Sequence, residues 1–226
     1  MLCGPKLGSG LSIMFRYGFR FALPRARRWL ARRLRRRPRG GQAQDPARKW
    51  EDEYRSDGWR WLRDLSELGR YGVIAAYVRR LKPGGSVLDV GCGEGVLQEH
   101  LAGAYSSYTG IDFSAEAVRR ASERQGPQTR FVVADATTFT TGERFDVVIL
   151  NECLYLFDDP VGVARRYEAF LNPGGLMIVS MYGEAKPQRV WRALHGRYAT
   201  VDEQHVVHPT GKTWVVKLLA PTLPPA

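Results

Sequence analysis

From residue 85 onward, short apolar runs alternate with segments whose apolar positions recur every three to four residues. The runs read as strands buried on both faces, and the spaced segments as helices. The pattern predicts strand 86–90, helix 95–103, strand 107–111, helix 114–124, strand 130–134, strand 145–150, helix 160–170 and strand 175–181. Such alternation builds a parallel sheet with helices on both faces. Helix 187–197 and strand 201–208 follow, and a Thr210-Gly211-Lys212 turn leads into strand 213–219. A short glycine turn between two strands makes an antiparallel hairpin. The fold class is therefore α/β, with a doubly wound, seven-stranded, mostly parallel sheet and an antiparallel last strand.

Upstream the pattern is different. Trp50, Tyr54, Trp59, Trp61 and Leu62 predict a helical cap with an aromatic face, and residues 65–81 a further helix stopped by Pro83-Gly84-Gly85. The expected organisation is an arm over 1–41, a helical cap over 42–84, the α/β domain over 85–220 and a tail over 221–226. Charge separates the first of these from the rest. Residues 1–49 hold 14 Lys/Arg against the single acid Asp45, whereas the remaining 20 basic and 22 acidic residues nearly cancel. The net charge of +11 thus belongs to the arm and not to the folded surface, where a nucleic-acid-binding fold usually carries it. The arm reads as largely disordered. Its segment 14–39 mixes aromatic residues with arginines, a composition suited to an anionic membrane surface. A solvated arm, a targeting peptide and an RNA contact are the other readings. Cys3, Cys92 and Cys153 are too few and too dispersed for a disulfide framework or a zinc site. No apolar run is long enough to span a membrane. A cytoplasmic protein, peripheral to the membrane through its arm, is the expectation.

The most informative stretch is Val87-Leu88-Asp89-Val90-Gly91-Cys92-Gly93-Glu94-Gly95. A strand ends in an acid and then in three glycines at alternate positions, a turn where backbone approaches a ligand closely. A dinucleotide fold wants Gly-x-Gly-x-x-Gly, but Val96 stands where its third glycine would be. A carboxylate before the turn repels a pyrophosphate and attracts an ammonium. The segment resembles motif I of the class I S-adenosylmethionine-dependent methyltransferases, whose sheet is Rossmann-like. The resemblance implies that Asp89 binds the ammonium of S-adenosyl-L-methionine, with backbone contacts from Gly91 and Gly93 and a tight turn closed by Gly95.

Further segments match that family in order. Thr109-Gly110-Ile111-Asp112-Phe113-Ser114 ends the second strand, and the resemblance implies that Asp112, flanked by Phe113, accepts both ribose hydroxyls. Ser114 is placed to cap the following helix. Asp135 and Ala136, after the third strand, are implied to receive the adenine amino group and a ring nitrogen. Asn151, at the end of the fourth strand, completes the cofactor set. Asp146 starts that strand at the opposite end and reads as structural, as does Cys92 as a small buried filler. Tyr54 and Arg55 are candidates for closing over the cofactor carboxylate.

Acceptor residues normally follow strand four, here Asn151-Glu152-Cys153-Leu154-Tyr155. The absence of proline excludes the amino-base and glutamine methyltransferases and the cytosine-C5 enzymes. No His-rich arrangement suggests a metal. The string resembles, over a few residues, the corresponding segment of rhizobial nodulation N-methyltransferases, which act on a chitooligosaccharide amine. Glu152 is the general-base candidate and Tyr155 its partner at the acceptor; His195 reads as structural, and neither His205 nor His208 is favoured for catalysis. The implied activity is methyl transfer to an O or N atom of a small-molecule or saccharide acceptor. An RNA methyltransferase using the arm on phosphate is the alternative. Oligomeric state is left open.

Overall fold

A computed structural model describes residues 46–221, and the arm with its membrane and RNA readings lies outside them. The chain begins there with α1 (Pro46–Arg55), a 3-10 turn (Arg60–Arg63) and α2 (Leu65–Leu81). The remainder alternates: β1 (Gly85–Val90), α3 (Val96–Leu101), β2 (Tyr105–Asp112), α4 (Ala115–Ser122), β3 (Thr129–Val133) and β4 (Phe145–Asn151). A 3-10 turn (Leu154–Leu156) precedes α5 (Pro160–Glu168), β5 (Leu171–Tyr182), α6 (Ala185–Leu194), β6 (Tyr198–Val207) and β7 (Thr213–Pro221). The strands form one sheet of order β3-β2-β1-β4-β5-β7-β6, with only β7 antiparallel to its neighbours. Every predicted strand is present. The ends shift by a few residues; β5, for example, runs from Leu171 where the sequence pattern started it at 175. The Pro173-Gly174-Gly175 segment is carried within the strand as an irregularity opposite Phe145 and Val147.

Alternation along each strand feeds two cores. Val87, Val147, Ile149, Ile178, Val216 and Leu218 face α2 and α3. Leu88, Val148, Leu150, Met177, Val179 and Leu219 face α5 and α6. A fully buried aliphatic side chain contributes about 1.5–3 kcal/mol relative to an exposed one, so strands apolar on both faces are held from both sides. Helix ends follow local chemistry. Ser114 Oγ accepts from Ala117 N–H at the start of α4, and Asp159 accepts from Gly162 N–H ahead of Pro160 in α5.

The segment expected as a cap divides into two. Tyr71, Ile74, Ala75 and Val78 of α2 are buried in the core, so this helix covers the sheet. The part lying over the glycine turn is α1 and its following turn. There Trp50 stacks on Trp59 with centroids 5.0 Å apart, and Tyr54 is buried. Glu51 accepts from Ser114 Oγ at 2.5 Å, and Asp57 from Arg120 at 2.5 Å, which fastens this segment to α4. Among the described residues no helix is long and apolar enough to cross a membrane.

Candidate cofactor and acceptor site

The strand-to-helix turn after β1 requires its glycines. Gly91, Gly93 and Gly95 have φ of +71°, +53° and +73°, a region costly for any residue with a Cβ. A Cβ on Gly93 would lie 2.9 Å from the Tyr54 hydroxyl, and one on Gly95 2.9 Å from Phe131 Cζ. Gly95→Ala is therefore expected to lose at least about 1–2 kcal/mol of stability, read from urea unfolding. An unchanged midpoint would show that the turn can relax.

Asp89 ends up almost wholly buried at the carboxyl end of β1. Tyr108 donates to its Oδ2 at 2.5 Å, while Oδ1 is buried with no partner. Burial pushes the carboxyl up to about 7, against the opposing pull of the Tyr108 hydrogen bond and of Arg70. An orphaned carboxylate oxygen in a buried site costs free energy until a donor or cation reaches it. Asp112 is also buried, and accepts from Gly93 N–H at 3.0 Å and Ser114 N–H at 2.9 Å. Burial raises it to about 6, with the two amide bonds working against the rise and Glu51 adding to it. Asp112 thus binds the glycine turn directly, and Asp89 lies near the strand end that leads into it. Phe113 beside Asp112 is 41% exposed.

Asp135 lies two residues beyond β3, exposed, with Oδ1 taking Thr137 N–H and Oγ–H, both at 2.7 Å. It organises its own turn. The Ala136 carbonyl next to it accepts from Tyr167 OH at 2.9 Å. Three acids thus lie at the ends of three adjacent strands, two of them buried and the third exposed.

The fourth strand delivers the other half of the site. Glu152 has φ of +60°, outside the ordinary range for a residue with a side chain. Its carboxylate is held at both oxygens: Ser180 Oγ donates to Oε1 at 2.9 Å, and Tyr155 OH and Tyr182 N–H to Oε2, each at 3.1 Å. Burial raises its pKa above the usual carboxylate range while Arg70, Ser180, Tyr155 and Tyr182 pull it down. Glu152 and Tyr155, paired in the sequence reading, meet in the structure. Asn151 turns the other way, and its Oδ1 accepts from Arg70 at 2.7 Å.

Sequence reading passed over Arg70. It is 1% exposed and donates to Glu67, Asn151 and Tyr71 OH, with its charge acting on both Asp89 and Glu152. The signal was present: Glu67 and Arg70 fall on the same helical stripe as Tyr71, Ile74 and Val78, where charge has no business unless paired. Arg55, by contrast, is 64% exposed and pairs with Glu51 one turn away. Asp146 is structural as expected, accepting from Ser86 N–H, Ser86 Oγ–H and Asn172 and so joining β1, β4 and β5. Cys92 and Cys153 are buried, with both thiols pushed up by burial. His205 and His208 bond locally to Glu203 and Thr210.

A doubly wound sheet with an antiparallel β7, an acid before a three-glycine turn and a second acid at the end of β2 define a class I S-adenosylmethionine-dependent methyltransferase fold. The methyltransferase-domain family profile matches residues 43–217, and the chain belongs to that family. It is 30% identical over 137 residues to Nodulation protein S of Bradyrhizobium diazoefficiens, spanning 58% of this chain and 64% of that protein. Similarity at 30% over 147 residues links it to the ubiquinone biosynthesis O-methyltransferase of Albidiferax ferrireducens, across 62% of this chain and 56% of that one. With phosphoethanolamine N-methyltransferase 1 of Zea mays it shares 36% over 107 residues, 45% of this chain and 21% of the relative. The chain thus spans less than two thirds of these relatives' lengths. In fold it is similar to N-methyltransferase NodS from Bradyrhizobium japonicum WM9 in complex with S-adenosyl-L-homocysteine. That match has TM-score 0.67 and 19% identity and covers 79% of this chain and 100% of the other.

Proposed function

We propose that the chain transfers the methyl group of S-adenosylmethionine to an oxygen or nitrogen of a small-molecule or saccharide acceptor, with Glu152 as general base. The clamped Glu152 carboxylate is the observation that carries this reading. A residue held at positive φ, with both oxygens fixed by three donors from β5 and the Leu154–Leu156 turn, has been positioned. Burial raises its pKa, the direction that makes a carboxylate a stronger base.

On the cofactor side, the orphaned Asp89 oxygen fits the ammonium of an amino-acid moiety, and the left-handed Gly91 and Gly93 present their backbone just after it in the chain. Asp112 keeps further lone pairs on both oxygens for the ribose hydroxyls. Phe113, Asp135, Ala136 and Asn151 complete the proposed contact set. When bound, the cofactor supplies an electrophilic methyl on a sulfonium. Glu152 receives the proton of an acceptor hydroxyl, or keeps an acceptor amine uncharged, while Tyr155 holds the carboxylate in place. Much of the remaining rate comes from positioning in a site shielded from water. Nodulation and phosphoethanolamine N-methyltransferases and the ubiquinone O-methyltransferase are the relatives that support such an acceptor class.

Asp112→Ala tests the cofactor half: calorimetry should show S-adenosylmethionine bound at least about tenfold more weakly, the equivalent of one charge-assisted hydrogen bond lost. Unchanged affinity would contradict the ribose assignment.

A further inference from the structure

Beyond Glu152 the site wall ends in a cation that the chemistry above leaves unused. Lys212 lies in the turn between β6 and β7, where His208 N–H donates to the Lys212 carbonyl at 2.8 Å and Gly211 takes φ of +85°. Its ammonium is 2.6 Å from Glu67 Oε1 and 3.1 Å from Ser66 Oγ. It also sits 5.1 Å from the Trp61 ring centre and 5.8 Å from that of Trp214. A lysine on a surface turn ordinarily keeps its head in water and its rotamers free. This one is drawn back and fixed by a carboxylate, a hydroxyl and two indoles.

Glu67 is 1% exposed and serves Arg70 as well as Lys212, so one buried carboxylate touches two cations. Arg70 is sealed in the core, whereas the Lys212 side chain remains 33% exposed next to Trp61, itself 40% exposed. Of the two cations on Glu67, Lys212 is therefore the one whose head reaches the surface. Sheet order places it beside the acceptor end. Trp214 is paired across the sheet with Tyr182, their rings 5.6 Å apart, and Tyr182 N–H donates to Glu152. Burial raises the Tyr182 hydroxyl, and Glu184, Glu67 and Glu152 add to the rise. Glu152, Tyr182, the buried Trp214 and Lys212 are thus linked by successive contacts.

We propose that Lys212, seated by Glu67 and Trp61, binds an anionic oxygen group, phosphate or carboxylate, carried by the methyl acceptor. The acceptor then presents its nucleophile to Glu152 and its anion to Lys212. The inference rests on the reading of Glu152 as the base at the acceptor. A fixed ammonium is a point donor to such oxygens, and the exposed Trp61 face offers an apolar or sugar-ring surface between the two ends.

The test measures label transfer from methyl-labelled S-adenosylmethionine to matched acceptors: glucosamine 6-phosphate against glucosamine, and 3,4-dihydroxybenzoate against catechol. The two pairs separate phosphate from carboxylate. The anionic member of at least one pair should be preferred. Lys212→Gln should raise its KM about tenfold or more while leaving the neutral member's KM unchanged, with Lys212→Arg restoring most of the loss. Should Gln loosen the turn, Lys212→Met keeps the packing on both indoles and carries the same expectation. Equal use of both members, an equal effect of the variant on both, or no label in any acceptor would overturn the inference. A Lys212 effect that persists while Glu152→Gln leaves turnover untouched would instead count against the base assignment alone.

Discussion

Asp89→Asn should lower S-adenosylmethionine affinity by about 10- to 100-fold, the range for losing a hydrogen bond to a charged group, while leaving the ligand-free protein at least as stable at neutral pH. The two effects have one origin. Asp89 is buried, its Oδ1 has no partner, and its pKa stands at about 7 because burial disfavours the charged form. A folded-state pKa above the ordinary carboxylate value means that the native state holds a proton which the unfolded chain releases. That contribution is fully present below about pH 4, and it is lost as pH rises through about 7. Asparagine carries no such penalty and can still accept from Tyr108. Thermal melts of both proteins at pH 5 and pH 7.5 should therefore show the variant losing less stability across that interval. Calorimetry in buffers of different ionisation enthalpy gives a second readout. Near pH 6 the wild type should release protons when an ammonium reaches Asp89, and the variant should release fewer. Equal proton release, or undiminished affinity, would remove Asp89 from the cofactor contacts.

Glu152→Gln should reduce kcat by about 10²- to 10⁴-fold, the usual contribution of a positioned base, with S-adenosylmethionine affinity unchanged. The amide can keep the local architecture. Its oxygen can accept from Tyr182 N–H and Tyr155 OH, while its NH₂ donates to Ser180 Oγ, whose hydroxyl rotates to suit. A loss of activity with an intact melting temperature would then report chemistry and not folding. The pH profile adds a signature. Because the Glu152 pKa is raised by burial, the wild-type rate should climb with pH above the ordinary carboxylate range, and that limb should vanish in the variant. Full activity in Glu152→Gln would refute the base, and retention of the limb would assign it to another group.

In the proposed reaction these two carboxylates serve opposite ends from one environment. Both are buried against the sheet and both are raised. Yet Asp89 is left with an unsatisfied oxygen, whereas Glu152 has all its near donors in place. The first is suited to receive a cation, the second to hold its geometry while a proton arrives.

Much of this was legible in the chain. Apolar runs such as 87–90 and 147–150 alternate with helical spacing, and that dictates strands buried on both faces and hence a parallel, doubly wound sheet. Gly91, Gly93 and Gly95 follow from the same logic, since only glycine takes three left-handed positions so close together at low cost. The local pairs Ser114 with α4 and Asp159 with α5 are likewise short-range matters of capping. Even Glu152 and Tyr155 are three residues apart, within reach of each other through one tight turn.

What lay beyond reach was everything decided by residues far apart in sequence. Whether Asp112 would be buried, and that its carboxylate would accept from Gly93 N–H, depends on β2 lying next to β1. Division of the expected cap depends on α2 finding the sheet while α1 lies against α4. Arg70 reaches Asn151 across 81 positions, and Lys212 reaches Glu67 across 145. Periodicity along one helix tells which face is covered, but not what covers it. Burial and electrostatic pairing are properties of the packed assembly, so the pKa values, the orphaned oxygen of Asp89 and the partners of each cation were settled by tertiary structure alone.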